Sequence, residues 1–141
     1  MKRMIGIILF FCLICLAAGC AKKAPQKAVL TLPSNHTTGY QWTVTQEPEL
    51  FEISSEYIEN RQENGAVGAG GSEIFILTPV KGGETEVCFA YQRPWEENDP
   101  DSVLRYKLKV SKNKQIQMQS FTGAMPGEID ELPDVPSLVI E

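Results

Sequence analysis

The chain has 141 residues, 43% of them apolar and 9% aromatic, with a formal charge of −5. Such a length and composition describe one ordinary globular domain and exclude a disordered or fibrous chain. All the acidic residues follow Cys20, where 11 basic face 18 acidic side chains, and this balance argues against nucleic acid as a partner.

Residues 1–20, "MKRMIGIILFFCLICLAAGC", open with Lys2 and Arg3, continue as an apolar run from Met4 to Ala18, and end in small residues before a cysteine. This is the layout of an export signal. The run falls short of the roughly 20 residues that cross a bilayer as a helix. Its end, "LAAGC", resembles the lipobox of bacterial lipoproteins. Cleavage before Cys20 would remove residues 1–19 as a signal peptide and leave Cys20 to carry acyl chains such as palmitate. Two or three chains anchor stably where one does not, so the expected location is a membrane of the bacterial cell envelope. Residues 20–27 then form a tether whose Lys22, Lys23 and Lys27 suit anionic headgroups and equally suit a solubilising linker. Of four cysteines, Cys12 and Cys15 leave with the signal and Cys20 is lipidated. Only Cys88 stays in the domain, which must therefore be held by its core without a disulfide.

Past the tether the apolar period is two. "AVLTL" (28–32) sets Ala28, Leu30 and Leu32 on one face, and "YQWTV" (40–44) sets Tyr40, Trp42 and Val44 inward. "FEISSEYI" (51–58), "SEIFILTPV" (72–80) and "ETEVCFAYQ" (84–92) are rich in β-branched and aromatic residues. In "VLRYKLKV" (103–110), Leu104, Tyr106, Leu108 and Val110 alternate with Arg105, Lys107 and Lys109. No segment carries a sustained helical stripe. Strands with one apolar face each predict an all-β fold, an immunoglobulin-like antiparallel β-sandwich spanning residues 28–110. A seventh strand fits in "KQIQMQSF".

Connections after the first, third and fifth strands are long or unusual: "PSNHTTG", "ENRQENGAVGAGG" and "RPWEENDPD". Those after the second and fourth, "EPEL" and "KGG", are short. If each strand reverses its predecessor, the odd connections all emerge at one end, where binding is expected. "GAGG" (Gly68, Ala69, Gly70, Gly71) lacks the ending of a phosphate-binding loop. It fits either a turn before a strand or a bare backbone able to lie against another surface. In "RPW", Pro94 ends a strand, and Arg93 and Trp95 either fold over the core or anchor an interface.

Catalysis finds little support. A thiol or serine mechanism needs a nucleophile oriented by a base, yet the single histidine, His36, sits at a loop tip and Cys88 lies within a strand. One histidine and one cysteine, without carboxylates at ligand spacing, predict no metal, and no cofactor is expected.

Taken together and in order, "NHTTGYQW", "GAGG" and "RPW" resemble the signature loops of the chagasin family, proteinaceous inhibitors of papain-like cysteine proteases, whose patterns are NPTTGYxW, GxGG and RPW. The resemblance covers about Ala28 to Val110 and departs at His36, where the family usually has proline, a change that loosens the backbone. It implies a reversible, non-covalent inhibitor, not an enzyme, expected as a monomer, whose three loops form a wedge. The first loop, Asn35, His36, Thr37, Thr38, Gly39 and Tyr40, would bind in the middle of the cleft, with Thr37, Thr38 and Gly39 beside the catalytic cysteine. Gly68, Ala69, Gly70 and Gly71 would pair along the substrate groove on one side, with Arg93, Pro94 and Trp95 on the other. The alternative is a surface-anchored β-sandwich module that binds a carbohydrate or a protein without inhibiting anything. Residues 111–141, with three prolines and five acids in their last twenty, are expected to form an extended, flexible tail.

Overall fold

The computed structural model of the protein describes residues 23–60, 70–123 and 137–141. Among the described residues there are eight strands: β1 (Ala28–Ser34), β2 (Gln41–Glu47), β3 (Phe51–Glu59), β4 (Gly71–Pro79), β5 (Gly83–Gln92), β6 (Ser102–Val110), β7 (Ile116–Gly123) and β8 (Val139–Ile140). They form two four-stranded sheets, ordered β3-β4-β1-β8 and β2-β5-β6-β7, with every pairing antiparallel. The alternation along each strand sends one set of side chains between the sheets. Leu30, Leu32, Leu77, Val87, Phe89, Leu104, Tyr106 and Leu108 are the largest side chains that lose all contact with solvent. Phe75 of one sheet meets Phe89 of the other edge to face, with centroids 5.0 Å apart, and Phe89 meets Tyr106 in the same way at 5.9 Å. Burial pushes the Tyr106 phenol up to about 12, so it stays neutral at any physiological pH.

Short turns close one end of the sandwich. Gln46 holds the β2–β3 turn with its own amide: its Oε1 accepts from the Leu50 and Phe51 amides at 3.1 and 3.0 Å, and its Nε2 donates to the Phe51 carbonyl at 2.6 Å. Leu77, fully buried in β4 between Ala28 and Ile53 in register, tests the core. Leu77→Ala is expected to cost about 3 kcal/mol of folding stability, seen as a lower urea midpoint with an unchanged slope.

The sandwich continues past Val110 in residues 116–123 and 139–140, where an extended tail was expected, while residues 124–136 lie outside the described residues. β7 adds an edge to the second sheet and bears the predicted seventh strand. β8 pairs with β1 through Val29↔Val139 and Ala28↔Ile140, and buries Leu138. An unpaired edge on β1 is thereby covered.

Register settles where the connections go. Ser34 of β1 lies opposite Gly71 of β4, Glu59 of β3 opposite the same Gly71, Gln41 of β2 opposite Gln92 of β5, and Tyr91 opposite Ser102. The β1–β2, β3–β4 and β5–β6 connections therefore leave from one rim.

Candidate functional site

The first of these loops, Asn35 to Tyr40, is one turn of 3-10 helix over His36–Thr38 with a cap at each end. Asn35 Oδ1 accepts from the Thr37 amide at 3.2 Å and from the Thr37 hydroxyl at 2.6 Å, and the Thr38 hydroxyl donates to the Asn35 carbonyl at 2.7 Å. These are N-cap bonds that a short polar side chain can make. At the far end the Gly39 amide donates to the His36 carbonyl at 3.1 Å, and Gly39 takes φ +80°, a left-handed conformation that glycine adopts without strain. Thr37 and Thr38 project into solvent from a backbone already hydrogen-bonded to itself.

The loop is also fastened from behind. Tyr91 Oη accepts from the Asn35 amide at 3.1 Å, and Trp42 Nε1 donates to the Pro33 carbonyl at 2.9 Å, tying the two sheets together beneath the turn. His36 has no ring to fix its backbone, but its imidazole stacks on Tyr57 at 3.9 Å and 16°, with Nε2 3.5 Å from a carboxylate oxygen of the buried Glu73. That oxygen makes no hydrogen bond among the described residues; the imidazole stands beside it. Side-chain contacts thus supply restraint that proline would have supplied through φ, against the expectation of a looser loop.

Of the second loop, Gly70 and Gly71 are described, while Gly68 and Ala69 lie outside the described residues. The Gly70 carbonyl accepts from the Asn60 amide at 3.0 Å, and its backbone packs beside the Ser34 carbonyl and the Asn35 side chain, 3.5 and 3.8 Å from where a Cβ would stand. Gly71 is buried in β4, and a Cβ there would run into the Ile58 carbonyl and the Tyr57 ring. Its bareness therefore serves the close approach of β3 and β4, a correction to the idea that its backbone lies open to a partner.

The third loop grips the first. Arg93 Nε donates to the Thr38 carbonyl at 3.1 Å, its Nη1 pairs with Glu96 at 2.9 Å, and its guanidinium lies 4.5 Å over the Tyr40 ring. Tyr40 stacks in turn on Tyr91 at 5.1 Å, and Tyr91 meets Trp42 at a 37° tilt with centroids 4.9 Å apart. The Glu96 hydrogen bond raises the Arg93 pKa, and the Tyr40 phenol, hydrogen-bonded to the Asp101 carboxylate, also titrates above its usual value. Tyr40 was expected inside; it precedes β2 and is half-buried on the rim, because the facing strand has ended at Ser34. Pro94 is exposed, and Trp95, 67% exposed, rests its ring on Gly39. Arg93→Lys keeps the charge but loses the planar fork, so exchange of the Gly39 amide with deuterium is expected to quicken about tenfold.

The sequence motifs marked the three loops that share this rim but missed their supports, Tyr57, Glu73, Tyr91, Glu96 and Asp101. Only Tyr91 left a trace, as the aromatic two residues before Arg93 on the same face. Cys88 faces outward on β5, between Thr45 and Arg105 in register, on a different sheet from the Tyr57 and Glu73 that hold His36. Among the described residues no three His, Cys, Asp or Glu gather as a metal site.

A family model described as chagasin family peptidase inhibitor I42 matches residues 23–110. Amoebiasin-2 of Entamoeba histolytica is 30% identical over 83 residues, which are 57% of this chain and 68% of that protein. Chagasin of Trypanosoma cruzi is 34% identical over 79 residues, 52% of this chain and 70% of that protein. Among solved structures, the crystal structure of the cysteine protease inhibitor EhICP2 from Entamoeba histolytica superposes with a TM-score of 0.51 at 28% identity, covering 56% of this chain and 73% of that one.

Proposed function

Because the chain belongs to the chagasin family of peptidase inhibitors, we propose that its three-loop rim is a wedge that plugs the active-site cleft of a papain-like cysteine protease. The protein is an inhibitor of cysteine proteases and not an enzyme. One observation supports the wedge above the others: the Asn35–Tyr40 turn sits between its two neighbours and touches both, Gly70 against Asn35 and Trp95 against Gly39.

In this reading Thr37, Thr38 and Gly39 lie beside the catalytic cysteine, the loop ending at Gly70 runs along one side of the substrate groove, and Arg93 to Trp95 bind on the other. A small tip enters where a bulky loop would be refused. Because the turn is hydrogen-bonded internally and clamped by Arg93, little freedom is lost on docking, which raises affinity without extra contact area. No bond forms or breaks. The loop occupies the site in a pose unlike a scissile peptide, so the nucleophile has no carbonyl at attack distance.

Titration into papain with a fluorogenic peptide tests this: cleavage should fall stoichiometrically and the inhibitor should be recovered intact. Undiminished cleavage, or a cut between Thr37 and Gly39, would refute it and return a non-inhibitory binding module to consideration.

We also propose that residues 1–19 direct export and that acylated Cys20, outside the described residues, holds the protein to the bacterial envelope. The lipobox-like "LAAGC" supports it. Palmitate labelling that persists in Cys20→Ser would rule it out.

A further inference from the structure

The end of the sandwich opposite the wedge gathers lysines. The β4–β5 turn carries Lys81 and the β6–β7 turn Lys112 and Lys114. The two touch, since Gly82 packs against Ser111 and Lys114 Nζ donates to the Val80 carbonyl. The N-terminal arm is bound to the same place and brings Lys23 and Lys27. The Gln26 amide donates to the Lys114 carbonyl at 3.0 Å, Gln115 Nε2 to the Ala24 carbonyl at 2.7 Å, and Lys27 and Glu141 exchange two backbone bonds of 2.9 Å. None of the five forms an ion pair among the described residues. Val80, 48% exposed, stands among them. Carboxylates at this end are Glu47 at the end of β2, Glu49 on the β2–β3 turn, Glu52 at the start of β3, Glu84 and Glu86 on β5, which are paired with Lys109 and Arg105, and Glu141 beside Lys27. The acids nearest the wedge, Glu96, Glu97, Asp99 and Asp101, occupy the opposite end.

We infer that this lysine-bearing end, with Val80 at its centre, is a contact surface for an anionic lipid bilayer, which orients the wedge away from the membrane. This rests on the envelope-anchoring reading. Lysine ammonium groups near an anionic surface are each attracted by about 1 kcal/mol, and their stems can lie along the interface beside an apolar residue. Because the arm is hydrogen-bonded to the β6–β7 turn, an anchor preceding Lys23 pulls on this end and no other.

Amine acetylation of the full chain on vesicles reads the orientation residue by residue. On phosphatidylcholine containing about one-third phosphatidylglycerol, Lys81, Lys112 and Lys114 should react about fivefold more slowly than Lys107 and Lys109, which lie on an outer sheet face. About 1 M salt should erase the difference, and pure phosphatidylcholine should not produce it. The triple variant Lys81→Gln, Lys112→Gln, Lys114→Gln should leave papain inhibition in solution unchanged while leaving anionic vesicles at lower salt. Equal reactivity of all five lysines on anionic vesicles, protection confined to Lys107 and Lys109, or a triple variant with the parent's salt dependence would overturn the inference. Failure of the anchoring reading shows separately, as a Cys20 peptide without acyl mass.

Discussion

Gly39→Ala is expected to weaken inhibition of papain by about a hundredfold while lowering the melting temperature by only a few degrees. Two effects act at one atom. A side chain at φ +80° is strained by about 1–2 kcal/mol, and the new methyl would overlap the six-membered ring of Trp95. The free protein escapes both by letting the turn and the tryptophan move apart, which the solvent-facing rim allows at small cost to the core. Docking must reverse that relaxation, and the sum of strain and lost preorganisation, about 2.7 kcal/mol, corresponds to two decades of affinity. The measurement is the inhibition constant alongside a thermal melt. If inhibition stays within threefold of the parent's, the Asn35–Tyr40 turn does not enter the cleft in the conformation it holds here.

Trp95→Ala separates binding from folding more sharply still. The indole is 67% exposed in the free protein, so removing it withdraws little from the core, and the unfolding free energy should change by less than about 0.5 kcal/mol. An exposed tryptophan held by an adjoining rigid turn is the kind of side chain that dominates an interface, where truncation costs at least about 2 kcal/mol. Inhibition should therefore weaken by about thirtyfold or more, chiefly through faster dissociation. Trp95→Phe should recover part of the loss, since a smaller ring can still cover Gly39. An unaltered dissociation rate in the alanine variant would place the third loop outside the contact.

Both predictions concern residues visible as motifs in the chain, yet their reasons are not. "RPW" marks Trp95 as an anchor candidate and "TTG" marks a tight turn; that the indole lies on the glycine, 56 positions earlier, comes from the β2–β5 pairing that sets Gln41 opposite Gln92. The clamp is of the same kind. Arg93 reaches Thr38, and Tyr91 reaches Asn35, through registers between strands distant in sequence.

What the amino-acid order determined alone is the local alternation: Leu104, Tyr106, Leu108 and Val110 all turn inward as their period of two requires. It determined as well the parity of the connections, because antiparallel succession sends every odd loop to one end. Tertiary structure decided the rest. β8 is only two residues long, follows an acidic, proline-containing stretch, and acquires strand character from the free edge of β1. Glu73 appears in the chain as an ordinary polar position, and only the crossing of the β1–β2 turn over β4 sets it beside His36. A strand's face depends on its own side chains, whereas a contact between loops depends on how two sheets register, and that is a property of the whole packed core.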